Sequence, residues 1–499
     1  MDYIVALAIL IISLILISKR SKDSLHMVQL EEYNSDNYKR WIKNNKERAY
    51  GFSKDSQPVK KPLVFTQRAT RLYRANIILS GVLILLPIVL TIVLDNALLY
   101  ILVLLIAFLV YRYQPLIMLL SNAIMAPIEK NINQGFYDSA QKKIKERDDL
   151  TVVGITGSFG KTSTKFIIGT ILEEKYKVLN TPESYNTPMG LSKVINNDLN
   201  NDHEIFIAEM GAREIGEIKE VAELSQPKIG IITSIGPVHI ETFKNIDNIM
   251  KTKYELIDEL PADGIAIFNY DNEYVKKMAD KTFKEKMLYG LEDIENLDVY
   301  ADEIVVSELG SSFTLRDKKG NSVSCTTRLL GKHNIYNILA GACVAIALGF
   351  SFEEISKGIS KIEPIPHRLN IIDSGSGVII IDDAFNSNPI GTKAALDVIS
   401  QFREGRKIIV TPGMIELGAM EEEANREFGI NIGKVCDYVI LVGEKRTKPI
   451  YEGLMEVSYN PDNIFVVNNL DEATERLGKI TRPKDVVLFE NDLPDNYNE

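Results

Sequence analysis

One stretch restricts the fold of this chain more than any other. The short strand-like run 150–155 passes into Gly154-Ile-Thr-Gly157-Ser158-Phe159-Gly160-Lys161-Thr162-Ser163-Thr164, and a helical pattern continues to Tyr176. A strand, a glycine-rich turn, a lysine with a hydroxyl, and then a helix form a cradle for phosphate. Glycines let backbone amides converge, the helix N-terminus attracts anions, a lysine neutralises the outer phosphates, and a hydroxyl can ligate Mg²⁺. The pattern therefore predicts phosphate contacts from Gly157, Ser158, Phe159, Gly160, Lys161, Thr162 and Ser163, with Thr162 facing the cation. The usual first glycine of such a loop would fall at 155, which is Ile; Gly154, Gly157 and Gly160 stand instead.

The remaining length calls for more than one such unit. At 499 residues the chain should hold about three domains. With 45% hydrophobic and 25% charged residues, it is neither disordered nor wholly membrane-embedded. The net charge of -11 hides a split: residues 19–74 carry 14 Lys/Arg and six Asp/Glu, and everything else is strongly acidic. That acidic remainder argues against nucleic acid as a partner. Cys325, Cys343 and Cys436 lack metal-site spacing and read as buried thiols.

Three apolar runs, 3–17, 75–94 and 97–111, precede the phosphate loop, the last two separated by Asp95-Asn96. A bilayer span needs about 20 residues, so the first and third must recruit flanking residues. About three transmembrane helices are expected. Lys19, Arg20 and Lys22 follow the first run, Arg68, Arg71 and Arg74 precede the second, and Arg112 follows the third. By charge bias, the N-terminus lies outside, and the 19–74 segment and everything after 112 lie on the cytoplasmic side of a bacterial cell membrane. The alternatives are a signal peptide for the first run, which lacks a basic start and a cleavage site, and a buried hairpin for 75–111. Residues 115–128 could lie in the membrane interface or pack as an ordinary helix.

Beyond the loop, Glu209 ends a strand-like run in IAEMGA, and a carboxylate at a parallel strand's C-terminal edge faces the crevice where ligands bind. A further strand, 228–234, leads to His239 and then Lys253. Taken together, GITGSFGKTST, IAEMGAREIGEI, PVHIETF with KTKYE, FNYDNE, GKHNIYN, PHRLN, IDDAFNSNP and GMIELG resemble the Mur ligases. The branch that adds D-alanyl-D-alanine to the UDP-muramoyl tripeptide is closest. The motifs cover about residues 150–420, in the family's order.

The resemblance implies an α/β enzyme. Residues 1–130 would form the transmembrane and basic-loop region, 131–366 a central P-loop domain with a parallel sheet, and 367–499 a C-terminal Rossmann-like domain that closes over the first. It implies ATP and Mg²⁺, with Lys161 on the β- and γ-phosphates and Thr162 and Glu209 on one Mg²⁺. His239 and a carbamylated Lys253 would place a second cation, Lys251 being the lesser candidate. Asn269 would lie beside adenine, His333 and Asn334 along the nucleotide, and Arg368 and Asp383 would reach ATP from the hinge at 364–368 and from the third domain. The implied chemistry is phosphoryl transfer to a carboxylate, giving an acyl phosphate that an uncharged amine attacks. Lys161, His239, Lys253, Arg368 and Asp383 would be its catalytic residues.

Several departures matter. The soluble domain that would hold a uridine diphosphate has no counterpart, so the peptide precursor could arrive on a lipid carrier, or still be UDP-linked and recognised by other surfaces. Tyr185 and Asn186, in the loop TPESYNTPMG, are the expected substrate contacts. Where the branch carries Lys-Gly-Ser near its last strand, this chain reads Leu488-Phe489-Glu490-Asn491-Asp492, either an acidic amine site or a solvated tail. Asn425 stands about where the branch has His. Expected partners are a peptidoglycan-type precursor, an amino-acid or amine co-substrate, membrane lipid and membrane cell-wall synthesis proteins. The competing readings are a poly-amino-acid synthase and a nonenzymatic ATP-binding scaffold.

Overall fold

The computed structural model describes residues 2–492 apart from 52–61, 97, 183–184, 239, 308, 374, 385–386 and 416. The chain divides into two compact units, Met1–Gly135 and Phe136–Leu493.

The first unit is helical, with helices Asp2–Leu30, Ser35–Asn44, Lys46–Tyr50, Gln67–Val93, Leu99–Arg112 and the start of Gln114–Lys145. It has two apolar cores. One joins Ile17, Ile84, Ile88, Val103, Ala107 and Val110 among the apolar runs. The other joins Leu25, Val28, Tyr38, Ile42, Leu72 and Met118. The first helix thus continues past its apolar run to Leu30, because its later turns have a core of their own to pack into. Some buried polar groups pair across the helices: Ser21 Oγ donates to Asn76 Oδ1 at 2.8 Å, and Gln114 Nε2 to Ser80 Oγ at 2.9 Å. Arg71 grips Glu129 with two bonds of 2.7 Å.

Two helices, Ile4–Leu30 and Gln67–Val93, are long and apolar enough to cross a membrane. The third apolar run differs from expectation. Its helix, Leu99–Arg112, has 14 residues, about 21 Å at 1.5 Å per residue, against the ~30 Å of a hydrocarbon core. The chain then bends by 74° into Gln114–Lys145, so Leu99–Arg112 could complete a third span only with residues that flank it.

The second unit holds two sheets. The strands are β1 (Thr151–Thr156), β2 (Val178–Asn180), β3 (Ile205–Glu209), β4 (Ile229–Ile232), β5 (Ile265–Asn269), β6 (Lys286–Gly290), β7 (Val299–Ser307), β8 (Gly310–Asp317), β9 (Ser322–Thr327), β10 (Asn370–Asp373), β11 (Ile379–Asp383), β12 (Lys407–Thr411), β13 (Tyr438–Val442), β14 (Ile464–Val467) and β15 (Val486–Glu490). The larger sheet has the order β2-β3-β1-β4-β5-β6-β7-β8-β9. It is parallel from β2 to β7, and β8 and β9 add an antiparallel flap. The smaller runs β10-β11-β15-β12-β13-β14, parallel except at edge strand β10.

Both faces of the larger sheet are covered, which is why its central strands are apolar throughout. Val153 and Ile155 of β1 face helices Lys161–Leu172 and Lys332–Ala347, while Val152, on the other face, packs with Leu191, Val221 and Leu256. The two helices approach closely at Gly341, where an added Cβ would sit 2.9 Å from Ile171. That contact brings the N-terminus of Lys332–Ala347 beside the phosphate loop.

Candidate active site

The loop between β1 and helix Lys161–Leu172 lies at the C-terminal edge of the larger sheet, where parallel sheets form their ligand crevices. Gly157 has φ 151° and Gly160 φ 81°. A side chain at 157 would also strike Thr233 Oγ1 at 2.1 Å, and one at 160 would meet Asn337 Oδ1 at 2.8 Å. Residues after β4 hold the loop in shape. Thr233 Oγ1 donates to the Phe159 carbonyl at 2.6 Å, Phe159 N donates to Ser234 Oγ at 3.2 Å, and Gly236 N donates to Ser158 Oγ at 3.0 Å. Ser163 is buried in the first turn of the helix. The Lys161 ammonium folds back onto the Gly157 carbonyl at 2.8 Å. Burial pushes its pKa down, Glu209 pulls it up, and Arg368 adds to the depression. Glu209 and Arg368 thus lie within electrostatic reach of the Lys161 pocket.

Glu209 ends β3 within this pocket and is 1% exposed. Its Oε1 accepts from Thr162 Oγ1 at 3.2 Å and from Asn186 Nδ2 at 3.1 Å, and its Oε2 accepts from Lys165 Nζ at 3.1 Å. A hydroxyl and a carboxylate side by side form the oxygen donor set that a hard cation takes, so the pair fits Mg²⁺. Among the described residues no group of three or more His, Cys, Asp and Glu could hold a metal.

Lys253, on helix Ile246–Asp258, is 2% exposed, its ammonium 5.9 Å from the centre of the Phe243 ring. Burial, with a further contribution from Lys161, lowers its pKa to about 7. His239 lies outside the described residues.

Arg368 and Asp383 come from the hinge and from the end of β11. Burial lowers the Arg368 pKa, and burial raises that of Asp383 to about 6 against the opposing pull of Arg368. Asp383 Oδ1 accepts from Leu369 N at 3.2 Å, which ties the hinge to the second sheet. Burial depresses the His333 pKa to about 4, leaving a neutral imidazole. Asn334 Oδ1 accepts from Asn337 Nδ2 at 3.2 Å, and Asn337 Oδ1 accepts from Thr164 Oγ1 at 3.1 Å, a chain of bonds back to the phosphate-loop helix. Asn269 ends β5, and its Oδ1 accepts from Asp271 N at 3.3 Å. Of the two expected substrate contacts, Asn186 is engaged with Glu209, whereas Tyr185 is 42% exposed.

Sequence reasoning overlooked Lys165, Thr233, Ser234 and Asn337. Lys165 had a readable signal: it stands among the apolar residues of Lys161–Leu172, one turn after Lys161, where a buried ammonium demands an acid. At the second sheet, Glu490 is no solvated tail. It is 1% exposed, with Ser387 Oγ at 2.5 Å and Thr411 Oγ1 at 3.2 Å, and burial raises its pKa to about 8. Asn425 is structural in its contacts: it bonds both N and O of Met414, at 2.8 and 3.0 Å.

Comparison with known proteins shows the family. Residues 155–345 match the Mur ligase middle domain and residues 367–490 the Mur ligase glutamate ligase domain. The chain is 33% identical over 340 residues to the UDP-N-acetylmuramoyl-tripeptide--D-alanyl-D-alanine ligase of Bacillus subtilis, covering 68% of this chain and 72% of that one. The Escherichia coli protein of the same name is 30% identical, with 57% and 63% covered. Among solved structures, MurF from Acinetobacter baumannii superposes with a TM-score of 0.65 at 26% identity, covering 73% of this chain and 78% of that one. A Thermotoga maritima MurF ligase in complex with ADP gives 0.64 at 25% identity, covering 72% and 80%. The chain belongs to the Mur ligases, ATP-dependent enzymes that form amide bonds.

Proposed function

We propose that this chain is a membrane-anchored ligase that joins an amine to the peptide carboxylate of a peptidoglycan precursor through an acyl phosphate. The juxtaposition of Lys161, Thr162 and Glu209 at one edge of the larger sheet carries the reading. ATP would lie along the 157–163 amides, with Asn269, His333 and Asn334 toward its nucleoside end. Lys161 and Arg368 would stabilise charge spreading onto the transferred phosphoryl oxygens. Thr162 and Glu209 would hold Mg²⁺, which when bound supplies further neutralisation of phosphate charge.

Lys253 would act differently. A pKa of about 7 leaves much of its amine unprotonated near neutrality, the form that adds CO₂. As a carbamate it would present an anionic oxygen ligand where the unmodified side chain presents a cation; His239 would assist it. Asp383 would reach the nucleotide from the second sheet, and Tyr185 and Asn186 would approach the peptide. The incoming amine would meet the crevice formed by the ends of β11, β12 and β15. The two long apolar helices, with Leu99–Arg112 and its flanking residues as a third, short crossing, would anchor the enzyme with its catalytic unit on the cytoplasmic side, which favours a lipid-linked donor over a soluble one.

The test is mass spectrometry of products after incubating the full chain with ATP, Mg²⁺, soluble and lipid-linked muropeptides, and a panel of amines that includes D-alanyl-D-alanine. An amide product with one ADP per bond is expected from wild type and none from Lys161→Ala. Amide formation undiminished in Lys161→Ala would remove the phosphate role, and equal turnover of soluble and lipid-linked donors would remove membrane delivery.

A further inference from the structure

The helix Gln114–Lys145 begins after the 74° bend and has two unlike faces in its first four turns. One is packed into the first unit: Gln114, Met118, Ser121, Asn122 and Glu129 are buried there. Asn122 Nδ2 donates to the Tyr33 carbonyl at 2.9 Å, and Gln114 and Glu129 pair with Ser80 and Arg71. The other face is open. Leu116, Leu120, Ile124 and Ile128 are 45%, 52%, 51% and 47% exposed, each four residues from the last, so they form one stripe. Ala123, Ala126 and Pro127 fill its flank, and no charged residue lies between Arg112 and Glu129.

Such a face, roughly 20 Å long at 1.5 Å per residue, exceeds the scattered apolar exposure of an ordinary surface. Its neighbour identifies the occupant. The stripe continues from Leu99–Arg112, whose Ile101, Leu102, Leu104, Leu105 and Phe108 are likewise exposed. A helix crossing the bilayer further would keep that direction. A turn of 74° instead brings the axis close to the plane perpendicular to it, with Arg112 and Lys130 at the two ends of the stripe, suited to headgroups.

We propose that residues 114–128 form an in-plane amphipathic helix whose Leu116-Leu120-Ile124-Ile128 face is embedded at the headgroup boundary of the bilayer. The inference rests on the reading that the two long apolar helices cross a membrane. Its consequence is that the chain leaves the bilayer sideways along the surface before it enters the catalytic unit.

Nitroxide labels at Leu116→Cys, Leu120→Cys and Ile124→Cys test it, one per full-length chain, in vesicles of phosphatidylcholine with a minority of phosphatidylglycerol. Cys325, Cys343 and Cys436 are buried, so the folded chain labels at the new thiol. Collision with oxygen against a water-soluble nickel chelate should place all three at one shared shallow depth, on the order of 5–10 Å below the phosphates. Depth that grows along the series by about 1.5 Å per residue would make the segment a broken span and overturn the proposal. Nickel-accessible labels at all three would overturn it in favour of an aqueous or protein-facing surface. Labels at Ile12→Cys and Leu86→Cys separate the two ideas: they should lie deep, and if they too meet nickel, the membrane reading falls and takes this inference with it.

Discussion

Glu209 shows how a site is shared between chemistry and folding. One oxygen faces Thr162 and Asn186, and the other is held by Lys165, which is 0% exposed. Removing one partner of a fully buried ion pair typically costs about 3–5 kcal/mol, because the remaining charge is stranded. Lys165→Met should lose stability on that order in chemical denaturation without divalent cations, and the double variant Lys165→Met/Glu209→Gln should recover much of it. A double variant no more stable than Lys165→Met would show that the lysine acts through something other than this carboxylate. Glu490 supplies a pH signature. Its folded pKa of about 8 lies above the ordinary 4.5, so the native state keeps a proton that the unfolded chain has released. The stability this proton confers is complete below about pH 4.5 and disappears as pH rises through 8. Glu490→Gln, which cannot ionise, should match wild type near pH 5 and exceed it by about 2–5 kcal/mol above pH 8; a gap that stays constant with pH would refute the assignment. Legibility divides along the same line. Lys161, Thr162 and Glu209 could be read from local order, since each sits at a strand end or a loop whose geometry the neighbouring residues dictate. Thr233 and Asn337 could not, because what they bond lies 74 and 173 residues away.

The elements that position these groups follow from short-range rules, with instructive exceptions. Strands β1, β3, β4 and β5 were visible as apolar runs because both faces of their sheet are covered. Strand β2 has three residues and β6 starts at a lysine, so neither stands out from its flanks, and β10 pairs on one side only. The third apolar run was legible as apolar but not as broken, since the stop at Tyr113 depends on how the next helix packs. In the phosphate loop, the left-handed φ of Gly160 and the Asn337 oxygen 2.8 Å from its missing Cβ make the same demand. Gly160→Ala should therefore weaken ADP binding by at least about fivefold in isothermal titration, corresponding to strain of about 1–3 kcal/mol. Affinity within twofold of wild type would mean the loop relaxes without cost.

For the molecule as a whole, the two units have separate cores. A fragment comprising 136–499 should stay in the supernatant after ultracentrifugation, bind ADP with wild-type affinity and unfold in one transition, whereas the full chain should pellet with vesicles even in high salt. Aggregation of the fragment or loss of ADP binding would show that the first unit is needed for folding. The scale of the whole is also where the reading from residues stopped short: the motifs pointed to the family, but the burial of Glu490 became evident only when three strand ends were seen together.

The position of β15 has one further implication. It lies between β11 and β12, yet it is translated after every other strand of that sheet. A growing polypeptide can complete the larger sheet while the smaller one still lacks its middle, and a chain that ended before residue 486 would leave β11 and β12 without the strand that joins them.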